Sequence, residues 1–361
     1  MEGERPQKLR KLNNFKRSIP FCSQSALSAI LDLVEKEGVP ELHNEKQLKE
    51  ASRAELAKMC HYGPIFEQKV ARTVDGGTTT LLFLNLLSYL AASFAQGGGF
   101  ADLLERCHQS SPSSYARPSH GIFYSDEVRP GNQLSSTTRK TWAVYFSFKE
   151  FGQATLSKED AWVTLLIKRS TEVSSLEASI GQCFKLILEH MFTSEWGNPC
   201  HGVLLKQQEK SLKLYWTVGM FLQDGSAQKH TFGNKQDSGS RICLHCKNIF
   251  SCSGSALAES EGTISSKFLT KASLDLATNQ EVLDAWQRMK KREGKVTKDE
   301  WKKWQQPAGI KFSQQALLLS DALLEQKLLQ PCTQYTRDWM HGMCSQGVLC
   351  TVVFLLFEKP S

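Results

Sequence analysis

A chain of 361 residues with 40% hydrophobic and 22% charged residues is long enough to bury a core, and its length predicts about two domains. Its 24 Gly and 11 Pro exclude collagen-like or proline-rich character, and a mean hydropathy of −0.34 excludes a multispan membrane protein. The formal net charge of +7, from 44 Lys and Arg against 37 Asp and Glu, leans toward a polyanionic partner but also suits an ordinary surface.

Residues 1–20 form a basic tail, with Arg5, Lys8, Arg10, Lys11, Lys16 and Arg17 against Glu2 and Glu4. It reads either as a solvated tail or as a nucleic-acid arm or nuclear signal. The 11 cysteines are an odd set, and no apolar signal-peptide core follows the tail. Reduced thiols and an intracellular location, nuclear or cytoplasmic, are expected.

Apolar spacing predicts helices over 23–36, with Ser23 as N-cap and Gly38 as stop, and over 45–59, 79–96 and 100–107. The run 81–94 (LLFLNLLSYLAASF) carries Asn85, Ser88 and Ser93 and is shorter than the ~20 apolar residues of a span, so it reads as a buried helix with no membrane role. A small helical domain over 21–109 is the simplest reading, with the turn-rich segment 110–119 (SSPSSYARPS) as linker.

The periodicity then changes. Residues 121–128, 141–148 and 162–168 are short aromatic and β-branched runs, which predict three successive strands. Residues 172–192 place Leu176, Ile180, Phe184, Ile187, Leu188 and Met191 on one helical stripe. Two strands follow, 202–206 and 212–222, the second nearly continuously apolar and ending at Asp224. The predicted class is α/β (α+β), a mixed sheet with helices. Three strands, a helix and a strand, with acids on the first strand and after the last, is the order of a ribonuclease-H-like core, and other α/β folds share it.

Five constellations can carry chemistry. Asp126 and Glu127 leave a strand toward Pro130 and Gly131, where a carboxylate can meet a hard divalent cation or simply shape a hairpin turn. Asp224, before Gly225, can be its partner, because metal-assisted phosphoryl transfer needs carboxylates from different strands around cations about 4 Å apart. An Asp-Gly turn explains it equally. Cys243 and Cys246 have the spacing of a zinc knuckle, with Cys332, His341 or Cys344 as distant candidates for the remaining ligands and ordinary cysteines as the alternative. Residues 286–304 interleave Arg288, Lys290, Lys291, Arg292, Lys302 and Lys303 with Trp286, Trp301 and Trp304. This segment suits phosphate contact and base stacking, or else a charged helical hairpin with core tryptophans. Asp338 and His341 form a D-x-x-H step within one helical turn.

An acid on the first strand, an acid after the post-helix strand, a C-x-x-C and then D-x-x-H occur in one fixed order. That order resembles the transposase core of eukaryotic cut-and-paste DNA transposons, particularly CACTA-like elements, over 121–361. The resemblance implies a ribonuclease-H-like fold over 120–361, with a Cys-containing and basic insertion at about 225–335. It implies Asp126 and Asp224 as catalytic acids holding Mg²⁺ or Mn²⁺ for two-metal DNA phosphoryl transfer, and the Asp338, Met340, His341 signature within the insertion. Zn²⁺ at Cys243 and Cys246, DNA as partner and a homo-oligomer are further expectations. The family's third acid lies well beyond D-x-x-H, whereas only Glu358 follows His341 here. The chain therefore reads as a C-terminally incomplete, transposase-derived protein. The alternative is a non-catalytic DNA-binding or interaction protein on the same scaffold.

Overall fold

The computed structural model describes residues 61–129, 140–241, 243–249 and 274–338, with scattered positions between 28 and 50. Two compact units divide the chain, Met1–Glu55 and Leu56–Ser361. In the first, the described positions from 28 to 36 are helical, and Gly38, at φ +83°, donates its N–H to Val34 O as the predicted stop. The basic tail and most of the helix predicted over 45–59 lie outside the described residues.

The second unit opens on a β-hairpin, β1 (Phe66–Arg72) and β2 (Thr78–Leu84), paired from Phe66↔Leu84 to Arg72↔Thr78. This corrects the helical domain over 21–109, and the unit boundary falls at residue 55 instead of 110–119. Three threonines at 78–80 favour extended backbone. Helix α1 (Leu86–Gln96) starts only after Asn85, whose side chain accepts from the N–H groups of Leu87 and Ser88. The asparagine inside the apolar run is thus a strand-to-helix switch. Helix α2 (Gly99–Ser110) follows, close to its predicted span. Among the described residues no helix is long and apolar enough to cross a membrane.

Next come β3 (Ser119–Val128), β4 (Thr141–Phe148) and β5 (Val163–Arg169), then α3 (Ser179–Thr193). The predicted helix over 172–192 is interrupted: a short helix at Ser170–Ser174 stops, and Leu176 bridges to Thr73 before α3 begins. The predicted strand over 212–222 is two strands, β7 (Lys210–Leu214) and β8 (Trp216–Gln223). Among the described residues β7 pairs only with β6 (Val203–Gln207), in a separate ribbon. Helix α4 (Gly225–Thr231) leaves β8, and the three-residue β9 (Tyr335–Arg337) closes the main sheet.

The main sheet has the order β5-β4-β3-β8-β9. The pairs β5–β4 and β4–β3 are antiparallel, while β3–β8 and β8–β9 are parallel. It is a mixed sheet in an α/β chain. Its helix-side face carries Phe123, Phe146 and Phe221, which meet Phe184 of α3 and Phe232 in one buried aromatic cluster. Gly181 lets α3 and α4 approach closely, since a Cβ there would lie 2.6 Å from Thr231 O.

The basic, tryptophan-rich segment folds as α5 (Asn279–Arg292) and α6 (Lys298–Ala308). Each starts with a capping box: Thr278 with Glu281, and Thr297 with Glu300. Thr278→Ala is expected to cost about 1 kcal/mol, within the usual 0.5–2 for a lost cap, as a lower urea midpoint at unchanged m-value. A midpoint equal to the wild type would show that the cap carries no stability.

Candidate functional site

The register of the main sheet brings three acids into one row. Ser125 of β3 is paired with Gln223 of β8, and Gln223 with Arg337 of β9. The next residue on each strand is an aspartate: Asp126, Asp224 and Asp338. Asp338 continues the pairing, because its N–H donates to Gln223 O at 2.9 Å. Neighbouring strands are about 4.8 Å apart, and residues level with one another on parallel strands share a face. The three carboxylates therefore leave the same face at the same level.

What lies beneath explains why the row is held. Gln223 is fully buried and its Nε2 donates to Ser125 Oγ at 2.7 Å and to Thr231 Oγ1 at 2.8 Å. One amide thus ties β3, β8 and α4 together immediately below the acids. Asp224 is also the N-cap of α4, its Oδ1 accepting from Ala227 N–H at 2.6 Å. Asp126 Oδ2 accepts from the Tyr124 hydroxyl at 3.3 Å. Burial pushes the Tyr124 phenol well above its ordinary range, and the charges of Asp126, Asp338 and Asp224 push the same way. The tyrosine stays protonated and able to donate.

Beside this row opens a cavity of 600 Å³. Its lining includes Asp126, Asp338, Tyr124, Tyr145, Trp162 and Glu159. The aromatic wall is continuous: Tyr124 stacks on Tyr145 at 5.9 Å and meets Trp162 at 6.1 Å. Glu127 points to the other face, where Lys140 approaches its Oε2 at 2.7 Å. Burial raises its pKa, but the hydrogen bond and charge of Lys140 win and leave it below the ordinary value.

Carboxylate oxygens suit Mg²⁺ or Mn²⁺ in chemistry, and the shared face suits them in placement. Among the described residues, however, no three His, Cys, Asp or Glu side chains converge closely enough to hold a metal ion. With Asp224 Oδ1 engaged in the helix cap, the row is a set of neighbouring acids and not a closed cage.

Cys243 and Cys246 lie next to each other in the turn after Arg241, whose guanidinium donates to the carbonyls of Cys246 and Leu244. Burial, with Cys243 adding to it, pushes the Cys246 thiol up to about 11. Cys332 is near enough for Cys243 to contribute to its raised pKa, after burial. Again no trio of donors assembles among the described residues. His341, Cys344 and Glu358 lie outside them.

In α5 and α6, Trp286 is a core residue, 1% exposed and stacked on Phe312. Trp301 is half-buried with its edge on the same ring, and Trp304 carries the Arg292 guanidinium 3.7 Å above its ring. Lys290 pairs with Asp321 at 3.3 Å. Arg288, Lys291, Lys302 and Lys303 project from the exposed face. The tryptophans thus hold the hairpin together, and the cations are its outer surface.

The sequence pairs Asp126 with Asp224 and ties Asp338 to His341 instead. Strand β9 is what makes Asp338 a member of the row. Glu159 also reaches the cavity, from a short turn without any motif. No protein-family model matches this chain, and no curated protein matches it either.

Proposed function

We propose that the main sheet is a ribonuclease-H-like core of a transposase-derived protein acting on DNA by metal-dependent strand cleavage and transfer. The observation that carries the reading is the level row of Asp126, Asp224 and Asp338 at the ends of three adjacent parallel strands. The strand order, with three antiparallel strands, a helix and two parallel strands, agrees with such a core. Asp338 takes the place of the third acid in this reading, which the D-x-x-H pattern alone did not offer.

Asp126, Asp338 and the Oδ2 atom of Asp224 would hold Mg²⁺ or Mn²⁺, with phosphate and water oxygens completing the shell. The cation would supply activation of the attacking water and neutralisation of charge at the scissile phosphate. Tyr124 orients Asp126 through its hydroxyl. The aromatic wall of the cavity offers a stacking surface for an unpaired base. Zn²⁺ at Cys243 and Cys246 belongs to the same proposal. DNA along the exposed cations of α5 and α6 belongs to it as well.

The test is nicking of supercoiled plasmid with Mg²⁺ or Mn²⁺. Asp126→Asn, Asp224→Asn and Asp338→Asn are each expected to lose about 100-fold or more, as removal of a metal-binding or charge-stabilising group does. Cleavage that survives Asp126→Asn or Asp224→Asn eliminates the site. Loss in those two with full activity in Asp338→Asn removes Asp338 from the set.

The lack of a converged trio of donors among the described residues favours a second reading, a non-catalytic DNA-binding protein on this scaffold. It predicts salt-dependent DNA binding, weakened when Lys291, Lys302 and Lys303 are neutralised, with no cleavage under either metal.

A further inference from the structure

The hairpin of β1 and β2 leaves one edge and one face open. Thr73 N–H donates to Gly77 O at 3.0 Å and Asn85 N–H to Ile65 O at 2.7 Å, so the odd-numbered residues of β1 bond across to β2. The even-numbered residues, Phe66, Gln68, Val70 and Arg72, therefore turn their N–H and C=O groups away from it. At one end these outward groups are used: Arg72 O accepts from Glu177 N–H at 3.1 Å, and Val74 N–H donates to Ser175 O at 2.9 Å. The outward groups of Phe66, Gln68 and Val70 meet no backbone partner among the described residues. Such a row of alternating donors and acceptors is a template for one more strand.

The side chains of the same stretch are uncovered as well. Phe66 is 50% exposed and Val70 68%, and Leu82 of β2, which lies opposite Gln68 and diagonal to both, is 49% exposed. Large apolar side chains gathered on a surface in this way mark a contact site. The charges narrow down its occupant, because Glu67 and Lys69 flank Gln68 on the other face of the strand. A strand that carries one acid and one base at equal distances from its centre complements a reversed copy of itself.

We propose that β1 is a self-association edge, on which β1 of a second copy of this chain pairs antiparallel about a two-fold axis at Gln68. In that register Phe66 faces Val70 of the second copy, Glu67 faces its Lys69, and Gln68 faces its own counterpart. Outward groups then fall opposite outward groups, so every free donor and acceptor from Phe66 to Val70 is used. Phe66 against Val70 is an aromatic and β-branched pair, and Glu67 against Lys69 an opposite-charge pair, both favourable across strands. Symmetry makes each of them twice. Sliding the second copy by two residues, the smallest step that keeps outward groups opposed, sets Glu67 against Glu67 or Lys69 against Lys69. Like charges directly opposite destabilise a sheet, so the neighbouring registers are disfavoured. A patch that complements itself in one register suits a closed two-fold pair. The hairpin is a separate sheet from the one that carries the acid row, and neither DNA nor metal enters this inference.

The test is sedimentation velocity of the full chain from about 1 to 200 µM, with amide hydrogen exchange at both ends of that range. A contact this small is weak, so a monomer–dimer equilibrium in the micromolar range is expected. The N–H groups of Gln68 and Val70 should exchange fast in dilute solution and be protected in concentrated solution. Lys69→Glu turns two attractive pairs into two repulsive ones and is expected to raise Kd by about tenfold or more. Gln68→Pro removes the central N–H, and association should vanish over this range. Both side chains are exposed and the Gln68 N–H points away from β2, so dilute samples of both variants should melt near the wild type. Glu67→Lys should also weaken association, yet its equimolar mixture with Lys69→Glu should associate, because opposite charges then meet between the two copies. That rescue reads the register, which a folding defect would not mimic. A wild type that stays monomeric throughout, or a dimer unaffected by both Gln68→Pro and Lys69→Glu, overturns the proposal. So does a mixture of the two folded charge variants that fails to associate. Protection of the Gln68 and Val70 amides in dilute monomer also overturns it, since the edge would then be covered by the chain's own residues.

Discussion

Phe221→Ala is expected to destabilise the second unit by about 3–5 kcal/mol, the range for truncating a buried phenylalanine when its surroundings cannot collapse. Phe221 has no exposed surface and lies on β8, the strand between β3 and β9. Its ring stacks on Phe123 at 5.8 Å and meets Phe184 at 5.5 Å and Phe232 at 5.2 Å. Those partners come from a neighbouring strand, from α3 and from the residue after α4, so no single movement can fill the space left. A loss of this size is a large share of the stability of an ordinary domain. Phe221→Leu keeps most of the volume and should cost clearly less. Urea denaturation of both variants checks the order, and a Phe221→Ala cost below about 1 kcal/mol would mean that the cluster repacks.

The effect bears on the site because Phe221 and Gln223 point to the same face of the same strand. Above Gln223 the three acids are fixed by strand register, and strand register is fixed by what the buried face must match. Phe123 and Ser125 on β3 meet Phe221 and Gln223 on β8. A one-residue slip would put Phe221 into solvent and Leu222 into the core. The hydrophobic pattern of the helix-side face thus dictates the level of the carboxylates on the opposite one.

Much of this was legible. The meander over 119–169 and the stripe on α3 have strong period-2 and period-3.6 signals, and Asp126 and Asp224 follow from where the runs end. The misses have physical causes. Residues 81–84 and 86–96 are one apolar run in sequence, and only the capping geometry of Asn85 divides it into strand and helix. The run over 212–222 divides at Tyr215, because Lys213 and Leu214 belong to a ribbon with β6. β9 is three residues long with no periodicity to read, so Asp338 could not be seen as the end of a strand.

The second large effect is a dependence on pH carried by His190. This residue of α3 is 6% exposed, with its ring edge-on to Phe83 of β2 at 5.5 Å. Its Nδ1 has no hydrogen-bond partner among the described residues. Burial, and then the charge of Lys69, pulls its pKa down to about 4. In the unfolded chain an imidazole titrates near 6.5. The folded state therefore binds fewer protons between those values, so its stability is fully present above about pH 6.5 and is lost as pH falls toward 4. The slope is about 1.4 kcal/mol per pH unit at most, which gives an upper bound of about 3.5 kcal/mol over the window. Glu67, whose Oε1 lies 3.7 Å from Nε2, attracts the imidazolium and reduces that loss. His190→Leu removes the titrating ring and its unpaired nitrogen together. The difference in unfolding free energy between wild type and His190→Leu, measured in urea at pH 7.5, 5.5 and 4.5, should move steadily against the wild type as the pH falls. Carboxylates common to both proteins cancel in that difference, so a value constant across the three pH points would remove His190 as the source.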